Sequence, residues 1–447
     1  MRKKILCVLL SLVLGTSVLC ACGGGSGSGA VKFWVYGDES ELEIYTLMTE
    51  EFNNTYGKEN GIKVDISTKP PANYESLIQT VSTSKSGPDV FLVIEDNFKK
   101  WINMGFLADM TSYLDAVTDI DISDVYATTV DRLRYNIDKN TSNVDDPLYG
   151  LPLDTKPSAI YYNETMFEQA GIIVISVDEE NMDAWNRGEI ADNRGKKKSD
   201  FPKLNGVTVP KKGYYRSENP YTADLGFTMP SASEILVFNN RIAMNWDETE
   251  DLGRIMTKER NAASPTDYGF YTEWWFSYAW SVGGDCIADI TGNLDYKFSL
   301  PDDTANYIVT ADEGFTGETT GRKYAKGDTL EFLDKIHVGA GESVQAESDG
   351  RFTVNGKTAS VAENVKAGLQ SGALSALPST KAAFTRFAKM AAKEYGDTRI
   401  SPYPTEVSAN TNTSTYFISG KLAMMIERVS NLDTVKNLMN QSSQEWT

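Results

Sequence analysis

Between residues 31 and 107 the hydrophobic pattern keeps switching between a period of two and a period of about 3.6, which constrains the fold more than any other feature. Val31, Phe33 and Val35 alternate with Lys32, Trp34 and Tyr36 in a β-branched and aromatic run, the pattern of a short strand. Gly37-Asp38 breaks that run. Ser40, with Glu43 three residues on, has the spacing of a capping box for a helix that starts at once. Ile44, Leu47, Met48 and Phe52 then fall on one helical face. A second alternating segment covers 61–67, and a helix is predicted over 74–84 with Leu77, Ile78 and Val81 inward. Gly87-Pro88 stops it, and 89–94 reads as an apolar strand covered on both faces. A helix over 98–104, Gly105-Phe106-Leu107 and a further helix from Thr111 complete the series. Strands alternating with helices make βαβ units and a parallel sheet, so the class is α/β. Ligands of such sheets sit beyond the carboxyl ends of the strands. The two acidic turns, Asp38-Glu39 and Glu95-Asp96, are therefore predicted along one edge, though each also reads as an ordinary solvated turn.

The start of the chain says where it is sent. Met1-Arg2-Lys3-Lys4 is basic, 5–19 is apolar but too short to span a bilayer, and Leu19-Cys20-Ala21-Cys22 follows. This is an export signal. Its end resembles the bacterial lipobox, with Cys22 as the cysteine to be lipidated; Cys20 does not fit, because Leu19 stands where a small residue is required. A cleaved secretory signal without lipid is the alternative. Residues 23–30 are a flexible Gly/Ser tether. A formal charge of −19 argues against nucleic acid and against electrostatic docking on an anionic membrane. Of four cysteines only Cys286 lies beyond the export region, so no intramolecular disulfide can form. His337 is the sole histidine, which removes most imidazole zinc sites and histidine-based triads. No metal-ligand spacing or phosphate loop is present, and no cofactor is expected.

Several motifs in order resemble the extracellular solute-binding proteins of carbohydrate importers, the maltose-binding-like family. They are Trp34-Val-Tyr-Gly-Asp38, Gly87-Pro-Asp-Val90, Trp101 to Leu107, Tyr149-Gly-Leu-Pro152 and Ala159-Ile-Tyr-Tyr-Asn163. Tyr268-Gly-Phe270, Gly283-Gly284 and Phe417-Ile-Ser-Gly-Lys-Leu-Ala-Met424 continue the series. The resemblance is continuous over about 31–172, patchy to 290, and returns at 415–430. It implies a two-lobe periplasmic-binding-protein-like fold with a hinge and an interlobe cleft. It also implies a monomeric, lipid-anchored protein on the extracytoplasmic face of the cell membrane, which binds a carbohydrate, an oligosaccharide, and hands it to the permease of an ATP-driven importer without catalysing a reaction. The implied layout is a first lobe over 31–152 and a second over 153–447, with insertions at about 178–229 and 295–410. In the family the chain crosses back to the first lobe after the strand that ends here at Ile426, so the sequence to Thr447 is expected to be truncated, with an incomplete C-terminal part.

Carried over residue by residue, Tyr36, Asp38 and Glu39 match the first ligand-contacting loop, and Asp96 with Asn97 the second. Their groups suit vicinal hydroxyls. Lys156 falls at the crossing between lobes, where maltose-type members commonly carry an acid. Tyr271, Glu273, Trp274 and Trp275 match an aromatic stretch of the second lobe, whose flat rings suit the C–H faces of sugars. Two adjacent tryptophans on a strand would point apart, so one is expected to stack; core packing of both is the alternative. Glu427-Arg428 stand where the family has a glycine and a nearby tryptophan, so Arg428 either meets an acidic sugar or pairs on the surface. In the insertions, Gly195-Lys-Lys-Lys198 reads as a solvated loop, 314–317 and 327–332 as hairpin material, and 374–395 as a helix with Phe384, Phe387, Ala388 and Ala391 on one face. A strand over 422–426 and a helix over 432–441 close the chain. Two further functions stay open at this point. One is a secreted glycoside hydrolase with two carboxylates from Asp38, Glu39, Asp96 or Glu273; the other is a binding protein for a non-sugar solute.

Overall fold

A computed structural model describes residues 29–441, apart from 38, 85, 94, 117–121, 156, 223–224, 292–294, 350, 392–398 and 409–412. The expected export signal with Cys22, most of the expected tether, Asp38 and Lys156 thus lie outside the described residues, as do the side chains of Ser40, Glu95 and Asp96. The chain divides into two compact units, one ending at Thr155 and the other taking the residues from there on.

The first unit is built on the predicted parallel sheet. β1 (Ala30–Val35) is central, and after it come α1 (Glu39–Asn54), β2 (Lys63–Thr68), α2 (Tyr74–Ser84), β3 (Val90–Phe91) and α3 (Glu95–Asn103). The order is β2-β1-β3, with Ala30 opposite Lys63 and Phe33 opposite Val90. Helices cover both faces, which is why β1 is apolar on both. Phe33 packs with Val31, Phe52 and Val64, while Trp34 and Tyr36 pack with Tyr74, Ile78 and Trp101.

Three local expectations are corrected. α1 starts at Glu39, so Ser40 lies inside its first turn rather than ahead of it. Phe52 is buried as expected, but Ile44 and Leu47 are exposed and Thr49 is buried in their stead. Polar bonds explain that rotation: Asn53 Nδ2 donates to the Val64 carbonyl and Asn53 Oδ1 accepts from the Val64 amide, both at 2.8 Å, and fix that face of α1 on β2. β3 is only two residues long, although the Leu92 amide still donates to the Trp34 carbonyl at 3.2 Å.

The second unit is also mixed α/β, so the expected class holds in both. In chain order it runs β4 (Ser158–Tyr162), α4 (Glu164–Gln169), β5 (Ile173–Ile175), β6 (Tyr214–Arg216), β7 (Leu236–Asn239), α5 (Trp246–Ile255), β8 (Tyr268–Tyr271) and α6 (Phe276–Trp280). Then come the hairpin β9 (Ile287–Asp289) and β10 (Tyr296–Phe298), β11 (Asn306–Val309), and the pair β12 (Phe315–Thr316) and β13 (Lys323–Tyr324). β14 (Val344–Ala346), β15 (Phe352–Val354), β16 (Lys357–Thr358), α7 (Glu363–Ser371), β17 (Leu374–Leu377), α8 (Thr380–Ala391), β18 (Leu422–Arg428) and α9 (Leu432–Gln441) follow. β18 is the centre of one sheet, antiparallel to β4 and parallel to β8; a second sheet has the order β5-β7-β6. α5 lies in the main core, with Leu252, Ile255 and Phe270 packed together.

Both stretches expected to be insertions are folded. In the first, Trp185, Met182, Leu204 and Val209 make a core against Ile175 and Val237. The lysine run is a solvated turn tied at its ends: the Lys196 amide donates to Asp192 Oδ1 at 2.8 Å and Lys198 Nζ to the Asn186 carbonyl at 3.2 Å. In the second, 374–377 is a strand paired with β11, and the helix begins only at Thr380. The run 327–332 leads through a turn into a short helix, Phe332–Lys335, rather than a hairpin. Asp334, fully buried, accepts from the amides of Thr319 (3.1 Å) and Thr320 (2.9 Å) and from the Tyr324 hydroxyl (2.7 Å). A Cβ on Gly317 would sit 2.1 Å from the Asp334 carboxyl group. Gly317→Ala is therefore expected to lower stability by about 1–3 kcal/mol, the usual cost of overpacking. Denaturant unfolding measures it, and an unchanged midpoint would show that Asp334 can yield.

Candidate functional site

In the first unit all three strands run the same way, so their carboxyl ends share one edge. Tyr36 stands there, its ring 4.4 Å from that of Tyr74. Tyr74 is fully buried, and its hydroxyl donates to the Trp34 carbonyl at 3.1 Å. Burial drives the phenol of Tyr74 far above its ordinary pKa, so it remains a donor. α1 and α3 both start at this edge, placing Glu39, exposed, and Asn97, half-buried, in their first turns. An acid in a helix's first turn, such as Glu39, also suits the helix dipole, so it serves the fold even without a ligand. Sequence reasoning missed Lys69, which follows β2 at the same edge and holds its ammonium 4.2 Å over the Trp34 ring. Among the described residues no ion pair engages it.

In the second unit the carboxyl ends of β8 and β18 lie side by side, Tyr271 opposite Met425, and β4 begins there with Ser158 opposite Arg428. The Val429 amide donates to the Pro157 carbonyl at 2.9 Å. Two of the predicted stretches, Glu273-Trp274-Trp275 and Glu427-Arg428, thus lie at neighbouring strand ends on one edge, while Lys156 falls outside the described residues. Tyr271 is the exception. It is 2% exposed and packs with Tyr416, Phe417 and Met425, so it is a core side chain and not a lining one. Burial, and then the charge of Glu273, push its phenol up to about 12.

The tryptophan pair also departs from expectation, because the chain has left the strand before reaching it. Trp275 has helical backbone angles (φ −58°, ψ −24°) and leads directly into α6. Its ring and that of Trp274 therefore do not diverge as on a strand. Both contact Phe276, at centroid distances of 4.3 and 5.5 Å. Trp275 also meets Phe384 of α8 edge-on at 5.5 Å, and Phe276 stacks on Trp280 at 5.2 Å. Trp274 is 57% and Trp280 63% exposed. Glu273 is exposed beside them. Arg428 is exposed as well, and Glu427 does not pair with its guanidinium: Glu427 Oε1 accepts from the Arg428 amide at 2.8 Å. Phe276 and Trp280 were not singled out from sequence, although four-residue spacing on a helix would have aligned them.

Among the described residues no group of three or more His, Cys, Asp or Glu is placed to hold a metal ion, and no helix is long and apolar enough to cross a membrane. Residues 38–187 match the family model described as bacterial extracellular solute-binding protein. Over that stretch the chain is similar to this family. No curated protein matches the chain. Among solved structures, an ABC substrate-binding protein from Listeria monocytogenes in complex with cycloalternan is similar at 14% identity, over 92% of this chain and 64% of that one, with a TM-score of 0.42. The sugar-binding protein MalE from Xanthomonas citri is similar at 14% identity, over 93% and 63%, with a TM-score of 0.45. A third, the GacH receptor of Streptomyces glaucescens, is similar at 14% identity over 92% and 63%, with a TM-score of 0.37. The chain thus spans under two thirds of the length of these solute-binding structures.

Proposed function

We propose that this chain binds an extracellular carbohydrate, an oligosaccharide, and delivers it to the permease of an ATP-driven importer without chemistry of its own. Cys22 would carry a lipid that holds the protein at the outer face of the cell membrane. The ligand-contacting residues would be Tyr36, Asp38, Glu39, Asp96 and Asn97 from the first unit, and Lys156, Glu273, Trp274, Trp275 and Arg428 from the second.

The observation that carries this reading is the chemistry of the second unit's edge. Exposed aromatic rings follow Glu273 in the chain just beyond the carboxyl end of β8, which pairs in parallel with β18, the strand that ends at Arg428. Rings cover the C–H faces of a sugar, while a carboxylate accepts from its hydroxyls and a guanidinium donates to them. The family match over 38–187 supports the same class.

Calorimetric and thermal-shift titration of the protein against a sugar panel tests the proposal, with peptides and polyols as comparison solutes. A micromolar or tighter sugar complex is expected, which at 100-fold excess over Kd would add about 2.7 kcal/mol of stability. Should only a non-sugar solute raise the midpoint, the carbohydrate assignment fails. New reducing ends on incubation with oligosaccharides would instead favour the hydrolase.

A further inference from the structure

A group of buried polar side chains in the second unit has no part in the edge described above. Lys335 ends the short helix Phe332–Lys335 and is 4% exposed. Lysine is almost never buried so deeply unless it is paired. Its direct contact here is a neutral amide: Lys335 Nζ donates to Asn306 Oδ1 at 2.8 Å, while Asp302 Oδ2 stands off at 3.6 Å. Asn306 and Asp302 are themselves 1% and 3% exposed, and the Phe332 ring lies 5.7 Å from the ammonium.

Each of the three is held in place. Asn306 opens β11 opposite Leu377, and its Nδ2 donates to the Pro378 carbonyl at 3.0 Å. Asp302 Oδ1 accepts from the Thr304 amide at 2.9 Å, and the Asp302 carbonyl accepts from the Lys381 amide at 3.2 Å. The segment that carries the lysine is bound on two sides. The Leu330 amide donates to the Tyr307 carbonyl at 3.0 Å, and the Ala362 amide to the Lys335 carbonyl at 3.1 Å. Burial pulls the Lys335 ammonium below its usual pKa range, against the opposing charges of Asp302 and Asp285. A desolvated amine of that kind is a nucleophile. An ion pair built for stability alone would bring the carboxylate, not the carboxamide, against the ammonium.

We propose that Lys335 and Asn306 join in an intramolecular isopeptide bond between Nζ and Cγ, with Asp302 as the catalytic residue that relays the protons. A rotation at the end of the lysine chain moves Nζ from the amide oxygen onto Cγ. The Nζ lone pair forms the new bond and the carbonyl pair moves onto Oδ1. As that pair returns, the Cγ–Nδ2 bond breaks. Nζ gives up two protons in all, and Asp302 passes both to Nδ2, which departs as ammonium. Asp302 ends as the carboxylate it began, so no oxidant or co-reactant is needed. Fixed geometry supplies the effective concentration, and exclusion of water protects the reacting groups from hydrolysis. The bond ties β11 to the short helix. Cys286 is the only cysteine among the described residues, so there the amide does what a disulfide cannot.

Intact mass spectrometry of the full protein under denaturing conditions tests this without any variant. The wild type should be lighter than its sequence by one ammonia, about 17 Da. Proteolysis should then yield a branched peptide in which the fragment bearing Asn306 is joined to the one bearing Lys335. Lys335→Met should remove both the mass loss and the branched peptide. Asp302→Asn keeps the shape of the acid but cannot take the proton, and it too should remain unlinked while circular dichroism shows it folded. A wild type at its full mass overturns the proposal. A loss of ammonia confined to one unbranched peptide is a succinimide and overturns it as well. An Asp302→Asn protein that still forms the link overturns the proton relay assigned to Asp302.

Discussion

Arg216→Met should cost about 3–5 kcal/mol of stability at neutral pH, and less than half of that at about pH 4. Arg216, Glu234 and Asp251 side chains are at most 2% exposed. The guanidinium donates to both oxygens of Glu234, at 2.7 and 3.2 Å, to Asp251 Oδ1 at 3.1 Å and to the Thr228 carbonyl at 2.7 Å. The same carboxylates tie down the first insertion: Glu234 accepts from the amides of Glu218 (3.2 Å) and Asn219 (3.0 Å), and Asp251 from that of Tyr221 (3.2 Å). Methionine fills the volume of the arginine stem but takes from two buried acids the cation that both share. For Glu234, burial acts upward, but Arg216 and the two amides outweigh it and hold the carboxyl below its usual range. For Asp251, burial wins over Arg216 and raises it.

Without the arginine both carboxyls must lie above their unfolded values of about 4. A raised folded pKa means that the native state binds more protons than the unfolded one. The mutant's penalty is then fully present above the raised pKa and is relieved as pH falls toward the unfolded value. Urea unfolding of both proteins at the two pH values measures this. An equal loss at both would mean that the damage is a packing defect and not an uncompensated charge.

How much of this could be read from the sequence depends on how local the determining interaction is. The parallel sheet of the first unit was legible because each strand and helix there carries its own period; α2 and α9 run over the residues that their spacing marks. The inner face of α1 was not, because two hydrogen bonds from Asn53 to Val64 fix it, and a polar side chain leaves no trace in a hydrophobic period. Leu374–Leu377 was absorbed into a helix because four residues are too few to show a period, and their strand partner lies far back in the chain at Asn306–Val309. At the site, positions following strands were legible: Tyr36, Glu39, Asn97, Glu273 and Arg428 all lie at strand carboxyl ends or in the first turns beyond them. Side-chain direction was not. Treating 274–275 as strand separated two rings that a helical turn joins, and Tyr271, read as lining, is the last residue still inside the sheet. Lys69 had no signal beyond its place after a strand.

The glycine of the Tyr268-Gly-Phe270 motif gives the second large expectation. Gly269→Ala should cost about 3 kcal/mol or more, whereas Gly253→Ala, its partner across the contact, should stay within about 1 kcal/mol of the wild type. A Cβ on Gly269 would lie 1.9 Å from the Gly253 carbonyl oxygen and 2.6 Å from its carbonyl carbon and Cα, all of them backbone atoms of α5. Neither side can yield cheaply. The Gly269 amide donates to the Ile400 carbonyl at 3.1 Å and to Thr257 Oγ1 at 3.0 Å, while α5 is buried along most of its length. The reverse substitution meets only the Ile400 Cδ1 methyl at 3.0 Å, the movable end of a side chain, and alanine is the better helix former. The strand that must move in Gly269→Ala ends two residues later at Tyr271 and delivers the chain to Trp274 and Trp275. Its near-ultraviolet circular dichroism, dominated by packed aromatic rings, should therefore change even where the protein remains folded. Equal and small losses for the two alanines would show that α5 and β8 are not in the close backbone contact that sets where β8 ends.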